Sequence, residues 1–428
     1  MKIPLSFPAP LSPRSWSIKT LQYPLFMILL AFDFYVIQVP SLWIRCLLAV
    51  ALVASFFIPY IRRFTIAAMP IFVWLITFYA CQFIPDHWRP QHIFVNILPT
   101  LERILYGASL SEIISQHQHP VLDVLAWIPY GIIHFSFPFV FATLLFVFGP
   151  PGCVKVFGKA FGFMNLAGVL TQLLFPTASP WYELSYGSAP ADYSIPGQPG
   201  GLARIDDILG FKLYGNTFGN SPLVFGAFPS LHSGCATIEM LFLAYLCPKL
   251  RILCMAHVMW MWWSTMYLTH HYLIDLVGGS IYAILAYFIA RPYLPPIRKD
   301  CRTRLDYLNI KSVSFMSFLS SIEMDAPVPE ATDIEQPQEE YKEADLVAHV
   351  AITMNEDPAT VRLLKEPPYE LPSLRIDELD HITTGSSSLY SSPASLTSDG
   401  TSTPSWSEPS SPRSLESFEH FPFHTNQK

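Results

Sequence analysis

Eight runs of apolar residues, each near the length of a bilayer core, constrain this chain more than any other feature. They cover residues 21–39, 41–60, 64–84, 122–148, 156–175, 228–246, 252–271 and 274–294. A hydrocarbon layer of about 30 Å takes about 20 helical residues to cross. Inside it a segment must satisfy its own amides, which a helix does and an open sheet edge does not. With 51% hydrophobic and only 14% charged residues, the sequence has little charge outside these runs to make a water-facing surface. The reading is all-α: a polytopic membrane helix bundle with about eight transmembrane helices. The prolines in "WIPYGIIHFSFPF", Pro129 and Pro138, predict a kink or break in the fourth span.

Basic residues set the orientation. "IRRF" at 61–64, "VKVFGK" at 154–159, "PKLR" at 248–251 and "RPYLPPIRK" at 291–299 fall on alternate connections. The positive-inside rule puts all four in the cytosol, together with both termini. The opposite face then carries two long loops, 85–121 and 176–227. The first has amphipathic patches suited to a membrane surface. The second holds the glycine-rich "PGQPGGLARIDDILG". The opening "MKIPLSFPAPLSPRSWSIKT" has prolines and no early apolar core, so it is read as a cytosolic N-terminal segment (1–20) and not a cleaved signal. Residues 21–84 supply the N-terminal transmembrane helices, and 85–294 the part that carries the chemistry. From 295 to 428 the composition turns Ser/Thr/Pro-rich and acidic, which predicts a disordered cytosolic tail.

Other classes are excluded early. No basic patch suits nucleic acid. The seven cysteines form no CxxC pair and lie mostly in apolar runs, as buried thiols rather than a disulfide or zinc framework.

Ionisable residues in or beside apolar spans need a reason. Asp33 and Arg45 read as packing or interfacial partners, His257 as a hydrogen-bonded core histidine, and His134 and Glu239 more as structure than as chemistry. In "MYLTHHYLIDLVGGS", by contrast, His271 and Asp275 stand four apart. In a helix from His271 onward they would share a face, and the carboxylate would fix the imidazole tautomer. In "FPSLHSG", Pro229 suits a first helical turn and His232 follows it. The amides of Ser230 to Gly234 would then form an anion site. The charge-derived topology puts His232 and His271 at the same depth on the same side. Two histidines, a carboxylate and an anion cradle describe phosphoryl transfer that needs no metal or other cofactor.

These residues resemble the type 2 phosphatidic acid phosphatase superfamily. Pro229-Ser230-Leu231-His232 matches its Pro-Ser-Gly-His element except for leucine in place of glycine. Ser264-Thr265-x5-His271-x3-Asp275 matches Ser-Arg-x5-His-x3-Asp except for threonine in place of arginine. Arg89-Pro90 remains of a third element whose lysine is missing. The departures match a narrower branch. "FVFGPP" (146–151), "PGGLARID" (199–206), "FGAFPSLHSGCAT" (225–237) and "WWSTMYLTHHYLIDL" (262–276) are similar to the fungal inositol phosphorylceramide synthase family.

The resemblance implies a phosphatidic-acid-phosphatase-like catalytic core. It implies transfer of phosphoinositol from phosphatidylinositol to the primary hydroxyl of ceramide, releasing diacylglycerol. It also implies a Golgi membrane location, a lumenal site and a small regulatory membrane subunit. His271 would be the nucleophile, Asp275 its orienting carboxylate and His232 the proton shuttle. Ser230, Ser233, Gly234, Ser264, Arg204 and Arg89 are the candidate phosphate ligands. The rival readings are a lipid phosphatase that uses water as acceptor, and a non-catalytic membrane scaffold or transporter.

Overall fold

The computed structural model describes residues 18–322, and among them every regular element is a helix. The first three are α1 (Ile18–Val36), α2 (Leu42–Ser55) and α3 (Pro59–Ala80). After two short helices, α4 (Ile97–Tyr106) and α5 (Leu110–Ser115), come α6 (Pro120–Trp127) and α7 (His134–Phe148). α8 (Cys153–Leu174) is followed by three short helices, α9 (Pro180–Tyr186), α10 (Ala203–Leu209) and α11 (Leu213–Gly219). The last long helices are α12 (Leu231–Leu246), α13 (Arg251–Tyr267) and α14 (Leu273–Ala290).

All eight apolar runs therefore contain a helix. By length and composition four helical segments suffice to cross a membrane: Ile61–Phe83, Pro120–Phe148, Cys153–Leu174 and Leu273–Tyr293. α1, α2 and α12 are apolar but shorter. This is a multi-pass membrane protein.

The fourth run does not break at its prolines. A π-helical turn, Ile128–Ile133, joins α6 to α7, and Pro138 lies inside α7. A π-turn takes in one extra residue. It rotates the face presented by α6 relative to α7, and Pro129 sits in it where a missing N–H is tolerated.

The core lies between α7, α8, α12 and α14, around Phe141, Leu145, Phe157, Phe161, Ile238 and Phe242. Close approach of helices depends on small residues. At Gly162 of α8 a Cβ would lie 2.5 Å from the Ile71 amide nitrogen of α3. α12 and α14 cross at Gly234 and Gly279, where a Cβ on Gly279 would overlap the Ser230 carbonyl.

The long loop 85–121 carries the amphipathic α4. Leu98, Pro99 and Glu102 are buried, while Leu101, Ile104 and Leu105 are exposed. Segments of both long loops are stitched together by backbone hydrogen bonds. The Phe94 amide donates to the Pro176 carbonyl, Thr177 to Phe225, and Ala227 to Thr177. This ladder sets the path by which residues 225–230 enter α12.

One boundary differs from expectation. Helical structure continues past 294, in α15 (Arg304–Tyr307) and α16 (Phe315–Ser321). Buried Arg304 donates to Ser321 Oγ (2.7 Å) and carbonyl (3.0 Å) and lies over the Phe146 ring of α7. An arginine whose donors are met in this way lets a polar segment pack where composition alone predicts disorder. The rest of the expected tail, and residues 1–17, lie outside the described residues.

Candidate active site

α12 and α14 each begin, and α13 ends, at the same end of the bundle. That places His232 of α12 beside the 268–272 turn between α13 and α14. His232 Nδ1 and His271 Nε2 are 3.3 Å apart. On the far side of the His271 ring, Nδ1 lies 3.5 Å from Asp275 Oδ2. Asp275 is fully buried and His271 is only 6% exposed.

The local structure behind this pairing is not the helical one expected. α14 starts at Leu273 with Tyr272 as N-cap, so His271 stands outside the helix. Asp275 is the third helical residue, and its Oδ2 accepts the Tyr272 amide (2.9 Å). A carboxylate in the first turn caps free amides and suits the positive helix end. Here the capping oxygen also faces the imidazole. The turn reaches this geometry through Thr269, a β-branched residue at φ 62°. Such a conformation persists only where neighbours hold it. The Trp181 amide donates to the Thr269 carbonyl (3.0 Å), and the His270 amide to that of Thr265 (3.0 Å).

The Ala227 carbonyl lies within reach of the His271 ring, and Nδ1 faces the Asp275 carboxylate at 3.5 Å. Its proton belongs there, which leaves the Nε2 lone pair toward His232. Burial pushes His271 down to about 4, and its neighbour His270 to about 3. Both are neutral at pH 7. His270 takes no part in the pair; its Nε2 sits 3.0 Å from the Pro199 carbonyl.

The structure corrects the picture of an anion cradle. Pro229 precedes α12 instead of starting it, and Ser230 is the N-cap. The Ser230 amide donates to the Asp275 carbonyl (3.1 Å), Ser233 to Ser230 Oγ (3.3 Å), and Gly234 to the Ser230 carbonyl (3.0 Å). Among the described residues only the Leu231 and His232 amides of this turn are left without an acceptor.

The Ser233 side chain is committed as well. It donates to the Leu276 carbonyl (2.7 Å), receives Trp262 Nε1 (2.7 Å) and meets Ser280 Oγ (2.9 Å). Ser264 Oγ donates to the Trp260 carbonyl (2.8 Å). Neither arginine is hydrogen-bonded to the histidines. Arg204 pairs with Asp123 (2.7 Å), which also accepts from Tyr267 Oη. Arg89 donates to the Ile84 and Cys81 carbonyls and lies over Tyr193.

Leu231, the residue in place of glycine, has a packing role. Its Cδ2 fills the space a Cβ on Gly168 of α8 would take. Thr265, in place of arginine, donates to the Trp262 carbonyl.

Four further side chains converge here. Fully buried Glu102 of α4 accepts the Leu273 amide (2.7 Å) from 171 residues away, and burial pushes its carboxyl up. Glu183 accepts from Tyr272 Oη (2.9 Å) and pairs with Arg103 (2.5 Å). The rings of Tyr130 and His134 pack on His232 at 4.3 and 4.4 Å. His134 shows in the sequence as an ionisable group in an apolar run; the others give no local signal.

Residues 98–289 match the PAP2 superfamily model. The chain is 48% identical over 297 residues to the inositol phosphorylceramide synthase catalytic subunit aur1 of Schizosaccharomyces pombe, covering 68% of this chain and 69% of that one. It is 44% identical over 299 residues to the inositol phosphorylceramide synthase of Candida albicans, covering 70% of this chain and 63% of that one. It is also 44% identical over 280 residues to the catalytic subunit AUR1 of Saccharomyces cerevisiae, covering 65% and 70%. No solved structure matches. With a buried His–His–Asp line at the mouth of α12 and α14 and this identity over two thirds of its length, the chain belongs to the fungal inositol phosphorylceramide synthase family, within the PAP2 superfamily.

Proposed function

We propose that this protein is an inositol phosphorylceramide synthase, moving phosphoinositol from phosphatidylinositol to the primary hydroxyl of ceramide. The observation that carries the mechanism is the line Asp275–His271–His232, with spacings of 3.5 and 3.3 Å. His271 Nε2 attacks phosphorus and the bond to the glycerol oxygen breaks. The phosphodiester anion, once bound, favours the protonated form of His232, which passes its proton to the departing diacylglycerol oxygen. The product is a phosphohistidine diester whose positive ring is stabilised by Asp275. His232 then takes the proton of the ceramide hydroxyl. That oxygen attacks phosphorus and His271 leaves, restoring the starting state. The Leu231 and His232 amides at the start of α12 support the phosphate charge.

The apolar helices around the site favour a lipid alcohol over water. The resemblance supports a Golgi membrane location with the site lumenal, and the basic residues of the α12–α13 turn and after α14, at the opposite end, fit that orientation. Two of the relatives are named catalytic subunits, which supports a small regulatory membrane subunit here.

The test is product identity with purified protein in lipid, labelled phosphatidylinositol and ceramide. Inositol phosphorylceramide is expected, and free phosphoinositol would mean a phosphatase. His271→Ala and Asp275→Asn should each abolish transfer, and His232→Ala should block turnover while phosphatidylinositol still binds. Wild-type transfer in these variants would sink the assignment.

A further inference from the structure

His232 has to keep facing His271 while the bound lipid changes from donor to acceptor. Among the described residues its hydrogen-bonded side-chain partner is His271 Nε2, and the entering phosphate competes for that same nitrogen. During turnover, ring contacts must therefore hold the imidazole.

Tyr130 is placed to do this. It is 2% exposed, and its ring lies 4.3 Å from that of His232 with 20° between planes. This is close to parallel stacking. The same ring lies 5.2 Å and 27° from His270. Tyr130 thus touches both the first turn of α12 and the α13–α14 turn that ends in His271.

Both contacts are backed by further packing. His270 stacks on Phe218 (4.6 Å, 26°) and meets the Pro199 carbonyl. Tyr130 itself sits in the π-helical turn Ile128–Ile133, an irregularity that recurs at functional sites. Trp127, the last residue of α6 just before that turn, ties it to α11, its Nε1 donating to Tyr214 Oη (2.5 Å). Gly131 leaves the room this pair needs, since a Cβ there would meet Tyr214 Oη at 2.5 Å.

We infer that Tyr130 is a positioning residue: its ring holds the His232 imidazole toward His271 and keeps the α13–α14 turn in register with α12. The inference rests on the transfer mechanism proposed above. The ring does the work, so Tyr130→Phe should keep kcat within about threefold. Tyr130→Leu removes the flat surface at similar bulk and should lower kcat roughly 10- to 100-fold, as a misplacement near 1 Å does. KM for phosphatidylinositol and the melting temperature should change little.

The assay uses the full chain in lipid, with His232→Ala in parallel. If His232→Ala is active, the transfer mechanism itself is wrong. If His232→Ala is inactive but Tyr130→Leu keeps wild-type kcat, the positioning role alone is wrong. It is equally wrong if Phe and Leu are equally damaging, or if KM and melting temperature collapse together with kcat. Should Tyr130→Leu not yield folded protein, Tyr130→Met, flexible and without a flat ring, is read by the same criteria.

Discussion

Gly279→Ala should inactivate the enzyme without touching a reacting group. The residue lies inside α14, where alanine is the better helix former by up to about 1 kcal/mol. Local propensity therefore favours the variant. The crossing with α12 opposes it. A Cβ at 279 would overlap the Ser230 carbonyl oxygen and lie 3.0 Å from the Ser230 carbonyl carbon and 3.1 Å from the Gly234 nitrogen. These are backbone atoms, so no side chain can swing away. Carbon contacts become favourable only from about 3.5 Å, so the two helices must part by about 1 Å.

Overpacking of this size costs about 1–3 kcal/mol, more than the propensity gain. The parting also acts on the chemistry. It stretches the Ser230 amide to Asp275 carbonyl bond (3.1 Å) and the His232–His271 approach (3.3 Å). A 1 Å misplacement is worth roughly 100-fold in rate. The assay is transfer of labelled phosphoinositol to ceramide, with the melting temperature of the same preparation. Gly234→Ala is the comparison. Its Cβ would meet the movable Met164 Sδ at 2.9 Å and the Gly279 carbonyl at 3.3 Å, a much smaller backbone conflict, so it should lose far less activity. If Gly279→Ala transfers at the wild-type rate, or loses no more than Gly234→Ala, the claim that this crossing sets the site geometry is wrong.

Gly168→Ala should lose stability by about 1–3 kcal/mol against the Leu231 side chain. Most of that should return in Gly168→Ala/Leu231→Ala; a double variant less stable than either single one would deny the contact. Arg204→Gln should lower the melting temperature, because it strands the buried Asp123 carboxylate at one end of a 2.7 Å ion pair. Asp123→Asn added to it should restore both stability and transfer. Restored stability without transfer would instead make Arg204 a phosphate ligand. For pH, the folded His271 value of about 4 lies below the ordinary 6.5. Between these the unfolded chain holds a proton the folded one does not. Stability should then be flat above pH 7 and fall as pH drops from 6.5 to 4, by roughly 3 kcal/mol from His271 and a similar amount from His270, read as melting temperature, while transfer persists to about pH 5. A melting temperature that rises on acidification would contradict neutral burial of this ring.

The apolar runs and their basic connections are local properties, so the sequence determines the helical spans and the shared end of His232 and His271. The residue types of the site, two histidines and a carboxylate, are readable for the same reason: a polar group in an apolar run stands out. What the tertiary structure alone decides is how their partners are used. His271 lies outside α14, because Asp275 and Glu102 cap the helix at Tyr272 and Leu273. The amides expected to cradle phosphate are largely taken by that same junction, and Arg204 and Arg89 are drawn off by Asp123 and by carbonyl groups. Tyr130 reaches His232 from a π-turn in a different, distant part of the chain. Hydropathy and spacing carry information over one or two helical turns. Which donor meets which acceptor, and which ring backs which imidazole, depends on helices packing at glycines far apart in the chain, and that is set only when the bundle closes.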